Sequence, residues 1–125
     1  MAEYKLTVAG LGPGDAGLIT RETWARIEAA EHIFLRTCIH PTVAALDAAG
    51  ITYETYDDFY EDAEDFEELY EAITDDLMER VQANDVLYLV PGSPFVAERT
   101  VQLLRTRTME KGQPIEILPA MSFLE

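Results

Sequence analysis

The sequence contains a single cysteine and few basic residues. Cys38 is the only cysteine among 125 residues, so no disulfide can form within the chain, and one unpaired thiol is typical of a protein kept in the reducing cytoplasm. Lysine and arginine number 9 against 24 aspartates and glutamates, which gives a formal net charge of -15. A surface of that charge repels phosphate backbones and anionic lipids, so neither nucleic-acid binding nor membrane binding is expected.

Long apolar segments are also missing from the sequence. No uninterrupted apolar run approaches the roughly 20 residues that a membrane-spanning helix requires. The first residues, Met1 to Lys5, do not combine a basic segment with a long apolar stretch, so no signal peptide is expected. The hydrophobic share of 48% and the charged share of 26% are those of a globular protein. These features predict one small cytoplasmic domain with one hydrophobic core.

Strand-like and helix-like segments alternate along the chain. Short apolar and β-branched runs predict five strands, at Lys5–Ala9, His32–Leu35, Thr52–Tyr56, Val86–Val90 and Ile115–Leu118. Four segments with helical spacing lie between them: one capped by Thr20 and ending near Ala30, one from Pro41 to Gly50, one from Phe66 to about Asn84, and one from about Val96 to Lys111. The alternation predicts a three-layer α/β fold, with a mostly parallel five-stranded sheet flanked by about four helices.

Glycine- or proline-rich segments follow three of the predicted strands. The segment Gly10–Asp15 (GLGPGD) follows the first strand, Pro91–Pro94 follows the fourth, and Ala120–Phe123 follows the fifth. Ligands of parallel α/β sheets bind at the carboxyl ends of the strands, which meet at one edge of the sheet. We therefore expect these three loops to emerge at one edge and to form a ligand site there.

The GLGPGD segment differs from the dinucleotide-binding pattern G-x-G-x-x-G. Asp15 stands where that pattern requires its third glycine, and a carboxylate there would repel a pyrophosphate. The acid expected after the second strand is also missing, because Arg36 and Thr37 follow Leu35. A nicotinamide dinucleotide is therefore not expected. Two interpretations of the segment stay open: a tight strand-to-helix turn that needs glycine, and a loop whose backbone approaches a ligand while Asp15 faces it.

An acidic motif in the third predicted helix resembles a magnesium site. Glu67, Glu68 and Glu71 form E-E-x-x-E, whose acids can converge on hydrated Mg²⁺ in nucleotide pyrophosphohydrolases. The paired E-x-x-D motif is absent downstream, and the acids lie opposite an apolar stripe, so we interpret them as a solvated helix face. The two histidines and the cysteine are too scattered for a zinc site, although His40 can face a cleft. No metal site is predicted.

The motifs resemble those of the tetrapyrrole methylases, enzymes such as uroporphyrinogen and precorrin methyltransferases that depend on S-adenosyl-L-methionine. GLGPGD matches the G-x-G-P-G-D opening of that family. Pro91–Pro94 falls where the family carries a G-D-P loop, with Ser93 in place of the acid, and Ala120–Phe123 falls where it carries G-x-S-S, with Ala120 in place of the glycine. Arg36-Thr37 with His40-Pro41, and the segment from Val90 to Leu104, are most similar to the branch fused to MazG-type nucleotide pyrophosphohydrolases.

The resemblance implies a function and a set of site residues. It implies methyl transfer from the sulfonium of S-adenosylmethionine to a nucleophilic carbon, with Asp15 as the candidate catalytic residue. Gly12, Pro13 and Gly14 would line the substrate side. The implied cofactor-binding residues are Gly92, Ser93, Pro94, Phe95, Val96, Ser122 and Phe123.

The resemblance also implies that the chain is incomplete. The methylase domain of the family has two α/β halves with the cofactor between them, and residues 1–125 correspond to the first half. The second half and any MazG-type domain would then be absent. We expect weak cofactor binding, no methyl transfer by this piece alone, and self-association through apolar residues near Phe95, Val96 and Phe123. The alternative function is a noncatalytic binding or regulatory module of a MazG-type pyrophosphohydrolase.

Overall fold

Five parallel strands form the sheet of this protein, which a computed structural model describes over residues 4–12, 19–38, 40–91 and 99–118. The strands are β1 (Leu6–Gly10), β2 (Ile33–Leu35), β3 (Glu54–Thr55), β4 (Val86–Val90) and β5 (Ile115–Leu118). The helices are α1 (Arg21–Ala29), α2 (Val43–Ala48), α3 (Phe59–Asp62), α4 (Phe66–Arg80) and α5 (Arg99–Lys111). The strand order is β3-β2-β4-β1-β5, and every pair of neighbours is parallel. The predicted α/β class and parallel five-stranded sheet are confirmed.

The sheet carries a helical layer on each face. Successive strand side chains point to opposite faces, so β4 contributes Tyr88 to one core and Leu87 and Leu89 to the other. The first core joins the strands to buried residues of α4 and α5, and the second joins them to buried residues of α1 and α2. The continuous burial of Val86–Val90 follows from this double covering. The predicted three-layer arrangement is confirmed.

Side-chain caps begin two of the helices, and the sequence predicts the one at Thr20. The Thr20 hydroxyl accepts a hydrogen bond from the Thr23 backbone N–H at 3.1 Å and caps α1. The Asp65 carboxylate accepts one from the Glu68 backbone N–H at 2.8 Å and caps α4. Each cap satisfies one of the backbone N–H groups that a helix leaves unpaired in its first turn.

Two details of the helix prediction are wrong. Phe66, predicted on the apolar stripe of α4, is 68% exposed, because it is the first residue of the helix and stacks on Tyr70 away from the core. The stripe that packs on the sheet starts one turn later, with Leu69, Ile73 and Leu77. The sequence prediction also missed the four-residue helix α3, in which no residue is buried. Phe59 and Tyr60 of α3 pack against the edge of the core, but a helix of four residues is too short to show a periodic pattern.

The bounds of the edge strand β3 and of helix α2 also differ from prediction. The strand predicted over Thr52–Tyr56 has only two paired residues, because β3 lies at the sheet edge beside β2, which is itself three residues long. Helix α2 begins at Val43 rather than at Pro41, and Gly50, at a φ of +73°, follows its end. The start predicted for α5 near Val96 lies outside the described residues.

An ion cluster ties the edge strand β5 to its neighbours at the amino ends of the strands. Glu116 accepts hydrogen bonds from Arg26 of α1 at 2.8 and 3.0 Å and from Lys5 at 2.9 Å. Hydrogen bonding to Arg26, with that to Lys5, lowers the pKa of Glu116 to about 2. The cluster therefore holds β5 against β1 and α1 while Glu116 is ionised.

Substitution of Glu116 by glutamine is expected to destabilise the protein at neutral pH. The carboxyl has an ordinary pKa of 4.5 and a folded value of about 2, so its contribution is fully present above pH 4.5 and is lost as the pH falls toward 2. Because the side chain is 34% exposed, screening reduces the expected loss to about 1 kcal/mol. Urea unfolding at pH 7 and pH 3 measures it, with Glu28→Gln as a charge-matched control. An equal effect of both variants would contradict the role of the cluster.

Candidate functional site

The carboxyl edge of the sheet, where Gly10, Leu35, Thr55, Val90 and Leu118 end their strands, carries the candidate site. At its centre β1 and β4 lie side by side, with Gly10 paired to Val90. The chain leaves β1 toward α1 on one face and leaves β4 toward α5 on the other. Diverging connections open a crevice at the carboxyl ends of adjacent strands, and ligands of open α/β sheets bind in such crevices.

The first residues of the GLGPGD loop line this crevice with backbone. The Leu11 N–H donates to the Val90 carbonyl at 2.8 Å, and the Leu11 side chain is fully buried in the core beneath the loop. Gly12 follows at a φ of +78°, a left-handed conformation that favours glycine. Gly12, which is itself buried, thus brings backbone without a side chain to the carboxyl edge, directly after Leu11 in the chain.

The loop after β2 lies beside this crevice and is fixed by Asp57. The Arg36 N–H donates to the Leu89 carbonyl of β4 at 3.0 Å. The Thr37 hydroxyl donates to one Asp57 oxygen at 2.6 Å, and the Cys38 N–H donates to the other at 2.9 Å. Partial burial alone would raise the pKa of Asp57, but these hydrogen bonds outweigh it and lower the pKa. Asp57 therefore stays ionised and fastens the loop.

His40 joins the loop after β2 to the loop after β1. Its Nε2 lies 3.1 Å from the Gly12 carbonyl oxygen, and the Thr42 backbone N–H donates to its Nδ1 at 3.1 Å. The imidazole is partly buried. The two loops at the carboxyl edge are therefore in direct contact through this side chain.

Arg36 brings a cation to the same edge. Its guanidinium Nη1 donates to the Tyr60 hydroxyl at 2.8 Å, which links the loop after β2 to helix α3. Burial raises the pKa of Tyr60 despite the opposing effect of the guanidinium, so the phenol is neutral and can accept this bond. Among the residues that the structure describes, the carboxyl edge thus combines backbone groups, buried apolar side chains and the guanidinium of Arg36.

Of the predicted site residues, the structure describes Gly12. The others lie outside the described residues: Pro13, Gly14, Asp15, Gly92, Ser93, Pro94, Phe95, Val96, Ser122 and Phe123. The strands that lead into their loops are adjacent and parallel, since Gly10 pairs with Val90 and Ala9 with Leu118. Sequence reasoning missed Asp57, although an acid directly after a strand was a usable signal.

Comparison with known proteins identifies the family. The sequence profile of the Tetrapyrrole (Corrin/Porphyrin) Methylases matches residues 5–125. This chain belongs to the tetrapyrrole methylase family. It is 39% identical, over 97% of its length, to YabN, an uncharacterized protein of Bacillus subtilis (strain 168), and spans 25% of that protein.

Solved structures of methyltransferases share the fold of this methylase chain. The native uroporphyrin III C-methyltransferase of Thermus thermophilus matches with a TM-score of 0.73 and 22% identity, over 96% of this chain and 46% of that one. The same enzyme has been crystallised with S-adenyl homocysteine and matches with a TM-score of 0.69. A diphthine synthase matches with a TM-score of 0.72 and 22% identity, over 95% of this chain and 45% of that one. The chain therefore spans less than half the length of each.

The acidic helix of this methylase chain is paired with arginines. Arg99 of α5 donates to both oxygens of Glu67 at 3.1 Å, and Arg107 donates to Glu71 and Asp75. The hydrogen bond from Arg99 lowers the pKa of Glu67. Within the described ranges no group of acids, histidines or cysteines could hold a metal ion. The acids interpreted as a solvated face thus also bind α4 to α5.

Replacing Glu67, Glu68 and Glu71 together by glutamine is expected to leave the fold intact and to lower its stability slightly. The sequence alone suggested a slight gain from relieved repulsion along the helix. The ion pairs to Arg99 and Arg107 reverse that expectation at low salt, and screening should remove the difference at high salt. Urea unfolding at two salt concentrations measures the change.

The matched control removes three acids without ion pairs among the described residues, as Glu31→Gln, Glu61→Gln and Glu79→Gln. That variant is expected to gain stability, because it makes the net charge of -15 less negative and breaks no ion pair. Stoichiometric Mg²⁺ binding that is lost in the Glu67, Glu68 and Glu71 variant alone would instead indicate a metal site.

Two cavities open at the opposite, amino edge of the sheet. One of about 440 Å³ is lined by Lys5, Arg26, His32 and Asp85 among others, and one of about 760 Å³ lies near Gln113. Lys5 and Arg26 are engaged by Glu116, and the amino ends of strands are not where ligands of such sheets bind. The carboxyl edge is therefore the stronger candidate. In the part of the chain described, no helix is both long and apolar enough to cross a membrane.

Proposed function

We propose that this chain is the first half of an S-adenosyl-L-methionine-dependent methyltransferase, with its cofactor at the carboxyl edge between β1 and β4. The observation that carries the proposal is the divergence of the chain after these two adjacent strands, at which the glycine-containing loop of the family motif begins. The crystallised complex of the Thermus thermophilus enzyme with S-adenyl homocysteine supports this choice of ligand.

The described residues fit such a cofactor. Gly12 carries no side chain, and it follows the buried Leu11, whose backbone is bonded to the buried Val90. A backbone position without a side chain leaves room for the sulfur end of the cofactor to meet the acceptor, whose side of the cleft Gly12 lines. The cofactor is a sulfonium cation, and a chain of net charge -15 attracts cations.

Each motif has a role in the proposed reaction. S-adenosylmethionine supplies an electrophilic methyl group, and the protein aligns it with a nucleophilic carbon of the acceptor in a cleft that excludes water. Gly12, Pro13 and Gly14 line the acceptor side, and Asp15 orients the acceptor or takes its proton. The loops Gly92–Val96 and Ser122–Phe123 hold the cofactor. The names of the relatives indicate different acceptors, so the shared fold does not identify the acceptor of this chain.

The second half of the methylase completes the site in this proposal. Structural relatives are more than twice as long as the part this chain matches. The isolated chain then binds the cofactor weakly and transfers no methyl group. The apolar residues Phe95, Val96 and Phe123, left without the second half, drive self-association to a homodimer or larger oligomer. We propose the cytoplasm as the location of the whole protein.

A second candidate is a noncatalytic module of a MazG-type nucleotide pyrophosphohydrolase. Ser93 in place of the family's acid and Ala120 in place of its glycine favour this alternative, because both depart from the methylase motifs. The similarity of the Arg36-Thr37 and His40-Pro41 segment to the MazG-fused branch supports the same association.

Calorimetric titration with two ligands separates the candidates. S-adenosyl homocysteine is expected to bind the chain, weakly but saturably, whereas Mg²⁺-ATP is not, because the acidic surface repels a triphosphate. Glu116→Gln, altered at the amino edge, serves as a control that should bind equally. If the chain binds Mg²⁺-ATP and does not bind S-adenosyl homocysteine, the result would contradict the methyltransferase and favour the nucleotide-linked module.

A further inference from the structure

The imidazole of His40 has one protonation pattern that satisfies both of its contacts. A backbone N–H can only donate, so the contact from Thr42 at 3.1 Å makes Nδ1 an acceptor. A carbonyl oxygen can only accept, so the 3.1 Å contact to Gly12 makes Nε2 a donor. The neutral tautomer that carries its proton on Nε2 meets both requirements, and the other neutral tautomer meets neither.

The backbone on both sides of the imidazole is independently held. The His40 N–H donates to the Cys38 carbonyl at 3.0 Å, and the His40 carbonyl accepts from the Val43 N–H at the start of α2 at 3.0 Å. Two residues before His40, the Cys38 N–H is fixed by Asp57. The imidazole is therefore presented from a segment that is anchored to α2 and, through Asp57, to the chain just after β3.

The acceptor of that bond is a sensitive point of the candidate site. Gly12 has a φ of +78°, and the peptide that carries its carbonyl also begins the remainder of the GLGPGD loop. Orienting this carbonyl therefore fixes the backbone at Gly12, the last residue before Pro13. Leu11 holds the loop from beneath, and His40 is the side chain that holds it from the neighbouring loop.

We infer that His40 is a positioning residue: its Nε2–H tautomer orients the Gly12 carbonyl and thereby preorganises the Gly12 backbone at the point where cofactor and acceptor meet. The inference rests on the proposed function, because that function makes the loop part of a ligand site. His40 acts through Gly12 and takes no chemical part in methyl transfer. Preorganisation raises affinity because the Gly12 backbone loses less conformational freedom when the ligand binds.

Two substitutions divide the contacts of the imidazole. In His40→Gln the side-chain amide can donate to the Gly12 carbonyl from about the position of Nε2. In His40→Asn the amide oxygen can accept from Thr42, but the side chain is too short to reach Gly12. We expect His40→Asn to weaken S-adenosyl homocysteine binding by about fivefold to tenfold, and His40→Gln to bind within about threefold of wild type.

Nuclear magnetic resonance tests the inference on the intact 125-residue chain. Two-bond proton–nitrogen correlations are expected to show Nδ1 unprotonated, and the Gly12 carbonyl-carbon shift should move in His40→Asn and stay near wild type in His40→Gln. Affinities come from amide shifts during titration with S-adenosyl homocysteine, and an unfolded variant would be recognised from its amide spectrum.

The outcomes are distinguishable. A protonated Nδ1, or wild-type affinity in His40→Asn, overturns the role of His40 while the proposed function stands. Equal losses of affinity in both variants also overturn it, because a donor to Gly12 would then not matter. Failure of the wild-type chain to bind at any concentration overturns the proposed function and the positioning role together.

Discussion

Extending this chain through a second α/β half is expected to tighten S-adenosyl homocysteine binding by at least about 100-fold, close to 3 kcal/mol at ~1.4 kcal/mol per tenfold. In the proposed function the ligand lies between two halves, and the carboxyl edge of β1 and β4 provides one wall. Each wall contributes apolar burial and hydrogen bonds, whereas the ligand loses its translational and rotational entropy only once. The second wall therefore adds affinity at little further entropic cost.

Calorimetry on the two lengths of chain measures this difference. The extended chain should also lose the self-association expected of the isolated half, which analytical ultracentrifugation detects in the same samples. Absence of binding to the extended chain would contradict the methyltransferase and favour the noncatalytic module. Tight binding to the isolated half would show that the cofactor does not lie between two halves.

Replacing Leu11 by alanine is expected to cost about 2 to 5 kcal/mol of unfolding free energy and, in addition, to weaken ligand binding. Leu11 is fully buried, and its truncation leaves a cavity in the core at the position directly before Gly12 in the chain. That cost is a large part of the stability of a small domain, which is about 5 to 15 kcal/mol. The loss of affinity follows because Leu11 supports the loop from below.

Leu77→Ala is the matched control. Leu77 is likewise fully buried, but it lies on α4 in the core of the other face. Both variants should lose comparable stability in urea unfolding. After correction for the unfolded fraction, only Leu11→Ala should bind S-adenosyl homocysteine more weakly than wild type. Equal affinities for the two folded variants would contradict a ligand site above Leu11.

The sequence predicted the sheet well because the strands that define it are buried. The continuous apolar run Val86–Val90 becomes the central strand β4, covered on both faces. By contrast, β3 was predicted too long, because an edge strand pairs with one neighbour and its length depends on that neighbour. The exposed Phe66 shows a similar limit, since periodicity does not reveal where a helix starts to contact the sheet.

The candidate site was predictable only in part. The position of the glycine-containing loop follows from the alternation of strands and helices, because parallel strands bring their carboxyl ends to one edge. The contact of His40 with Gly12, and the hold of Asp57 on Thr37, join residues far apart in sequence. Local patterns cannot show such contacts, because these depend on the strand order β3-β2-β4-β1-β5. The ion pairs between acids of α4 and arginines of α5 also join residues that are far apart in sequence.

Mapping bound S-adenosyl homocysteine onto the backbone amides of this chain is the most direct test of the carboxyl-edge site. Titration followed by nitrogen–proton correlation spectra locates the ligand even at millimolar affinity. The account predicts shift changes at Gly10, Leu11 and Gly12 and in the loop after β2, with little change at Lys5 and Asp85, which line the 440 Å³ cavity at the amino edge. Shift changes centred on Lys5 and Asp85, with the amides of Gly10 to Gly12 unmoved, would contradict it.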